Sequence, residues 1–175
     1  SHNLYFVKKN FIYKKNETSK QEIAQSLGLS MPTVLQNVKE LLENEIICEI
    51  GKYESTGGRK AKAISIIETV RYCIGVDITK NHISFVLLDL RGNIVTKDRK
   101  REVYEDSIEY YRNLGENIDK FIYKSNIDKA KIVGVGVSIP GIIDKESSLL
   151  IRSHILEVSN ISLKKFSQFI NYDTC

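Results

Sequence analysis

Residues 30–46 read SMPTVLQNVKELLENEI, a pattern typical of a helix with one apolar side. Ser30 is a favourable N-cap, and Pro32 is tolerated in the first turn because its missing N–H would be unpaired there anyway. An apolar stripe follows at helical spacing and consists of Val34, Val38, Leu41, Leu42 and Ile46. The segment therefore predicts a helix that buries this stripe and leaves the opposite side of its N-terminal half in solvent.

Two further helices are predicted upstream. The second of them runs from about Lys20 to Leu27, because Ser19 and Glu22 have the spacing of a capping box and Gly28 suits the turn that follows. A helix, a short turn and another helix form the outline of the helix-turn-helix that proteins use to bind DNA. The first predicted helix carries apolar residues at helical spacing, namely Leu4, Val7, Phe11 and Ile12.

Two β-rich segments follow, IICEI at residues 46–50 and AISII at residues 63–67, and both predict strands. They are joined by GKYESTGGRKAK, whose glycines suit a hairpin turn. The tip of this loop predicts a basic wing that approaches a minor groove or the phosphates, and it consists of Gly57, Gly58, Arg59 and Lys60. Residues 1–68 are thus predicted to form a winged helix-turn-helix domain.

The predicted DNA-reading side of the 30–46 helix lies opposite its apolar stripe. Gln and Asn side chains can bond adenine through two hydrogen bonds, and Thr can reach a base edge or a phosphate. No Lys or Arg occurs in residues 30–38, so the phosphate attraction that dominates DNA affinity is missing there and binding by this helix alone is expected to be weak. The residues assigned to this side are Ser30, Pro32, Thr33 and Gln36, with Asn37 and Lys39 flanking them.

An alternative interpretation is a packed three-helix unit that serves protein contacts. Leu35 lies at the edge of the apolar stripe, where a residue is either part of the core or an exposed anchor for a partner. Both interpretations stay open on the pattern of this region alone.

After Glu68 the pattern changes to strands. The segments YCIGVDI, HISFVLLDL and NIVTKDRKREV predict three successive antiparallel strands, the last of them a charged edge strand. A helix is predicted next, followed by a buried strand in KIVGVGVSIPGIID that ends at a Pro-Gly turn. The order βββαβ is that of one lobe of the actin-like, ribonuclease-H-like fold, an α/β arrangement. The apolar face of that helix consists of Ile108, Tyr111, Gly115, Ile118 and Ile122.

Composition restricts the class of protein further. The 26 Lys and Arg against 22 Asp and Glu make the chain mildly basic, which permits a nucleic-acid partner without requiring one. No apolar run approaches the length that crosses a bilayer, so a cytoplasmic protein without a membrane contact is expected. Cys48, Cys73 and Cys175 have neither disulfide nor zinc-site spacing, and the first two are expected to be buried thiols.

In this order, four motifs resemble the ROK family of sugar-responsive repressors and sugar kinases. They are the three-helix unit, the wing STGGRK, the strands GVDI and HISFVLLDLRGNIV, and the segment VGVGVSIPGIID. The resemblance spans nearly the whole chain and is closest to the repressor branch, typified by xylose repressors, because the kinases lack the N-terminal DNA-binding domain. It implies a transcriptional regulator in which residues 69–175 form the N-terminal part of an actin-like domain, without the second lobe.

The resemblance also permits a test for kinase chemistry. Kinases of the family hold ATP phosphates with a D-x-G-G-T loop after the first strand, where glycines let backbone amides approach the phosphates. The matching stretch here is DITKNH, in which Asp77 is retained while Thr79 and Lys80 stand where the glycines would be. No enzymatic activity, cofactor or metal is therefore expected.

A sugar effector is implied by the family but rests on altered residues. The residues assigned to it are Asp77, Pro140, Gly141 and His154, although a lone His in an apolar neighbourhood is more often structural. The first hypothesis is a homodimeric ROK regulator that binds double-stranded operator DNA and controls sugar-related or other inducible genes. The second is a degenerate ROK protein that acts on a protein partner, as an anti-repressor that displaces another repressor.

Overall fold

The computed structural model describes residues 17–53 and 61–175. The chain divides into two compact units, Ser1–Val70 and Arg71–Cys175, which are treated separately below. The first predicted helix and the predicted wing tip, with Gly57, Gly58, Arg59 and Lys60, lie outside the described residues.

The first unit contains two helices, α1 from Lys20–Leu27 and α2 from Met31–Glu43. The Ser19 hydroxyl accepts a hydrogen bond from the Glu22 N–H at 3.2 Å, and Gly28 ends α1 with a φ of 61°. The left-handed conformation at that position favours glycine, which has no Cβ to clash. The two predicted helices and the turn between them are confirmed, except that α2 ends at Glu43, so Ile46 lies beyond the helix and is only half-buried.

A hairpin follows in the first unit, with β1 from Ile47–Tyr53 and β2 from Ala61–Ile66. The strands are antiparallel, and Ile47 lies opposite Ile66. Thr18 adds a third, one-residue strand, because its backbone N–H and C=O bond Ile64 at 3.0 and 2.7 Å. A 3-10 turn, Glu68–Val70, ends the unit. The core of the unit consists mainly of Ile23, Val34, Val38, Leu41, Ile47 and Ile64.

The second unit is built on a four-stranded sheet in the order β5-β4-β3-β6. β3 pairs antiparallel with β4, β4 pairs antiparallel with β5, and β3 pairs parallel with β6. The predicted βββαβ order and the charged edge strand are therefore confirmed. The bounds are β3 Tyr72–Ile78, β4 His82–Asp89, β5 Ile94–Arg101, α3 Ile108–Lys124 and β6 Ile132–Ser138.

A second, three-stranded sheet completes this unit and was not predicted. Its strands are short and of mixed polarity, so no alternation marks them in the sequence. The bounds are β7 Ile142–Asp144, β8 Leu149–Ser153, β9 Val158–Ser162 and the short helix α4 Lys164–Ser167. The last residues of the chain then run parallel to β6, where the Val135 N–H donates to the Asp173 carbonyl at 2.8 Å.

α3 covers one face of the four-stranded sheet and carries most of the core on its apolar side. Tyr110 and Tyr111 are both buried there, although the spacing placed only Tyr111 on the apolar stripe. Gly115 allows the closest approach, because a Cβ at this position would lie 2.2 Å from the Phe169 carbonyl oxygen.

The opposite face of this sheet is open in the described structure. Residues alternate between buried and partly exposed along β3 and β4. β6 is only partly buried, with Val133 55% exposed, so the prediction of a buried strand is wrong. The Cys48 and Cys73 thiols are only half-buried, and desolvation raises the pKa of Cys73. No helix in residues 17–53 or 61–175 has the length and apolarity that crossing a bilayer requires.

Candidate nucleic-acid interface

The exposed side of α2 is a continuous stripe. Pro32, Leu35, Gln36 and Lys39 are all exposed and recur at three- and four-residue intervals, which places them on one face. Leu35 is 47% exposed, so it belongs to this surface and not to the core. These four residues are called the α2 stripe below.

The first turn of α2 is stabilised by its own polar residues. The Ser30 hydroxyl accepts from the Thr33 N–H at 3.4 Å, and the hydroxyls of Ser30 and Thr33 are hydrogen-bonded to each other at 2.8 Å. Ser30 is therefore the N-cap that the sequence predicts, and Thr33 is half-buried beside it. Both residues lie in the first turn of α2, beside the start of the α2 stripe, and their role in DNA binding stays a prediction.

Asn37 is a correction to the predicted reading side. It is only 5% exposed and lies on the buried side of α2 with Val34, Val38 and Leu41, because residues 34, 37, 38 and 41 share one helical face. A buried amide cannot reach a base edge. No acceptor in the described part of the chain receives a hydrogen bond from Asn37 Nδ2.

Replacing Asn37 with alanine is expected to raise the free energy of unfolding of the first unit by about 1 kcal/mol. A buried donor without an acceptor carries its full desolvation cost, and alanine has the higher helix propensity. Hydrogen exchange of the α2 amides measures the change. Asn37→Asp is the control, since a buried charge should destabilise the same site. If the α2 amides of Asn37→Ala exchange as fast as those of the wild type, or faster, the Asn37 side-chain amide has a stabilising partner.

Three lysines in the described part of the first unit are paired with carboxylates. Lys20 Nζ lies 3.0 Å from Glu49 Oε1, and Lys62 Nζ lies 2.6 Å from Glu49 Oε2. Lys39 Nζ lies 3.7 Å from Glu43 Oε1, one helical turn further along α2. These pairs reduce the positive potential available to a phosphate backbone, and the sequence pattern did not predict the bridge at Glu49.

The Glu49 bridge should stabilise the first unit in a pH-dependent way. Hydrogen bonds from Lys62 and then Lys20 lower the pKa of Glu49. A lowered pKa means that the stabilisation is present above the unfolded-state pKa and is lost as the pH falls through the folded-state pKa. Glu49→Gln should therefore cost about 0.5 kcal/mol at pH 7 and progressively less as the pH falls through the folded-state pKa. Urea unfolding at a series of pH values tests this, with Glu43→Gln as the control for an exposed pair.

The residues assigned to an effector lie at separate places in the second unit. Asp77 is the last residue but one of β3 and lies on the open sheet face, in register with Ser84 and Ser138, where it lines a cavity of about 960 Å³. His154 is exposed at the β8–β9 turn and lines a polar cleft with Glu157, so the apolar neighbourhood expected for it is wrong. The effector site remains a prediction.

Gly141 has a packing role. Its φ is 152°, and a Cβ would lie 2.5 Å from Leu150 Cδ1 and 2.7 Å from the Arg152 carbonyl oxygen. Pro140 and Gly141 form the connection between β6 and β7, at the junction of the two sheets. Their positions are explained by this tight turn without a ligand.

The β3–β4 turn is closed by its own hydrogen bonds. The Thr79 N–H donates to the His82 carbonyl at 2.9 Å, and the His82 N–H donates to the Thr79 hydroxyl at 3.2 Å. Lys80 is exposed and forms an ion pair with Glu157 at the surface. These two amides are already bonded, and the turn does not offer them to a phosphate. Within the described ranges, no group of three or more His, Cys, Asp or Glu side chains is placed to hold a metal ion.

Comparisons with known proteins match both units. Residues 10–47 match a family model described as winged helix-turn-helix DNA-binding, and residues 73–172 match the ROK family. A xylose repressor of Bacillus spizizenii is 29% identical over 158 residues, which cover 90% of this chain and 41% of the repressor. The DNA-binding transcriptional dual regulator NagC of Escherichia coli is 26% identical over 149 residues, which cover 83% of this chain and 36% of NagC.

The fold is shared with a solved ROK family transcriptional regulator, a homolog of the E. coli MLC protein. The TM-score is 0.70 at 15% identity, and the match covers 98% of this chain and 43% of that one. The chain thus spans about two fifths of the length of these relatives. Because the ROK model matches more than half of its residues, the chain belongs to the ROK family.

Proposed function

We propose that this chain is the operator-binding part, together with the first portion of the ROK domain, of a transcriptional repressor of sugar-related genes. The observation that carries the proposal is the exposed α2 stripe of a winged helix-turn-helix on the same chain as a ROK lobe. Support comes from relatives named as xylose repressors, which align with both units.

In this proposal, α2 enters a major groove through its N-terminal half. Gln36 projects from the middle of the α2 stripe and bonds adenine, while Ser30 and Thr33 lie where the helix start meets the phosphates. A homodimer would place two such helices in successive major grooves of a palindromic operator, with Arg59 and Lys60 of the wing at the flanking minor groove or phosphates.

The charge distribution of α2 predicts how much of the DNA affinity comes from base contacts and how much from phosphate contacts. The α2 stripe contributes one lysine, and Lys39 is already close to Glu43. Base contacts should therefore account for an unusually large share of specific binding, and the phosphate contribution should come from elsewhere in the domain. The Thr79 and His82 amides of the β3–β4 turn are already hydrogen-bonded, so neither is available to a phosphate.

Fluorescence anisotropy tests the proposal directly. The full 175-residue chain is titrated with its own upstream DNA and with a scrambled duplex at several salt concentrations. Binding at least about 10³ times tighter to the upstream duplex is expected for an operator-binding protein. Equal, weak and steeply salt-dependent binding to both duplexes would reflect counterion release alone and would overturn the proposal.

A second candidate is a protein partner at the same helix, for example another repressor that this chain displaces. The exposed Leu35 favours it, and so does the ion pair of Lys39 with Glu43, because an apolar side chain beside paired charges suits a protein surface better than a phosphate backbone. Leu35→Glu would abolish such a complex and leave the fold intact. An unaffected complex with this variant would exclude the α2 stripe as the contact surface.

A further inference from the structure

We propose that Leu35 is a specificity-determining residue that contacts the C5-methyl group of a thymine next to the adenine bound by Gln36. This inference rests on the proposed operator-binding function and deepens it. The operator half-site would then contain two successive A·T pairs, one read through a hydrogen-bond pattern and the other through a methyl group.

Leu35 is not needed by the core of the first unit. Ile23, Val34, Val38 and Leu41 are at most 1% exposed and fill the space between the helices and the hairpin, while Leu35 is 47% exposed. An apolar side chain with nearly half of its surface in solvent contributes less to folding than a fully buried one, because the exposed part remains hydrated. Leu35 is therefore available for a contact outside the described part of the unit.

The position of Leu35 suits a major-groove contact. It lies between Pro32 and Lys39 in the α2 stripe and directly precedes Gln36, so the two side chains are about 100° apart around the helix and about 1.5 Å apart along it. Two side chains this near to each other can contact neighbouring base pairs. When Gln36 bonds an adenine, Leu35 is placed to face the adjacent base pair.

The chemistry of the groove selects thymine for this contact. Thymine is the one base that presents a methyl group in the major groove, whereas cytosine presents an amino group that needs an acceptor. A leucine against the methyl buries apolar surface on both partners. Against cytosine it would remove water from an amino group without replacing the hydrogen bond, and this cost discriminates against G·C.

Replacement of thymine by deoxyuridine tests the contact, since it removes only the methyl group. Binding sites are first selected from random duplexes with the full chain, and each thymine of the enriched half-site is then replaced in turn. At one position the wild-type chain should bind about fourfold more weakly, the factor expected for one buried methyl group. Leu35→Ala should bind the thymine and deoxyuridine duplexes equally at that position.

Two controls make the outcome specific to Leu35. Gln36→Ala should keep the thymine preference at the Leu35 position while losing the adenine preference beside it. Circular dichroism should show an unchanged fold for Leu35→Ala, because the residue lies outside the core.

The outcomes separate the inference from the function on which it rests. One outcome is an enriched sequence in which every deoxyuridine replacement changes the affinity of the wild type and of Leu35→Ala equally. That result would overturn the methyl contact and leave operator binding intact. The failure of any sequence to be enriched would overturn the proposed function, and this inference with it.

Discussion

Replacing Gly115 with alanine is expected to destabilise the second unit by about 3 kcal/mol, although alanine favours helices more than glycine does. The added Cβ would lie 2.2 Å from the Phe169 carbonyl oxygen and 3.0 Å from its carbonyl carbon. Both are backbone atoms, which cannot move as the end of a flexible side chain can. Either α3 or the segment around Phe169 must shift, and buried contacts on both sides are lost.

Thermal unfolding followed by near-ultraviolet circular dichroism measures this effect. All of the chain's nine tyrosines except Tyr5, Tyr13 and Tyr53 lie in the second unit, so their signal reports mainly on that unit. Asn113→Ala is the matched control, because Asn113 is an exposed residue of the same helix and should gain slightly from the higher propensity of alanine. Equal stabilisation by both substitutions would show that the close contact at Gly115 is absent in solution.

Replacing Gln36 with alanine is expected to weaken specific operator binding by about 1–3 kcal/mol, or about 5- to 150-fold. Gln36 is exposed in the middle of the α2 stripe, and its amide can form both hydrogen bonds that adenine offers in the major groove. The substitution should relax the preference at one operator position. The salt dependence of binding should stay unchanged, because no phosphate contact is removed.

Parallel binding curves for a set of single-position operator variants measure the loss of preference. Gln168→Ala is the control, since it removes an exposed glutamine of the second unit and should leave DNA binding unchanged. A uniform loss across all operator variants would place Gln36 at the phosphate backbone. Unchanged affinity and preference would exclude it from the interface.

The helices of the first unit were predictable because their signals are local. Ser19 and Ser30 cap α1 and α2 through backbone atoms three residues away, and Gly28 ends α1 with its own left-handed conformation. Such interactions are complete within one helical turn, so the order of residues alone indicates them. The apolar stripe of α2 was predictable for the same reason, apart from Asn37 and Leu35, whose environment depends on what packs against the helix.

The main sheet was also predictable in outline. Alternating burial along β3 and β4 reproduces the alternation of apolar residues in the sequence, and the charges of β5 indicated an edge strand. The small sheet of β7, β8 and β9 was not predictable, because its strands contain only three to five residues each and no alternation of apolar and polar residues marks them.

By itself, the sequence determined the capped helices, the βββαβ order and the absence of Lys and Arg from the N-terminal half of α2. Each of these follows from residues within one or two helical turns or one strand. Tertiary structure alone decided that Asn37 is buried and Leu35 exposed, that Glu49 binds Lys20 across 29 residues, and that α3 meets the Phe169 backbone at Gly115. Those properties depend on which distant segment lies beside a residue. Long-range packing determines that segment, and local residue order does not.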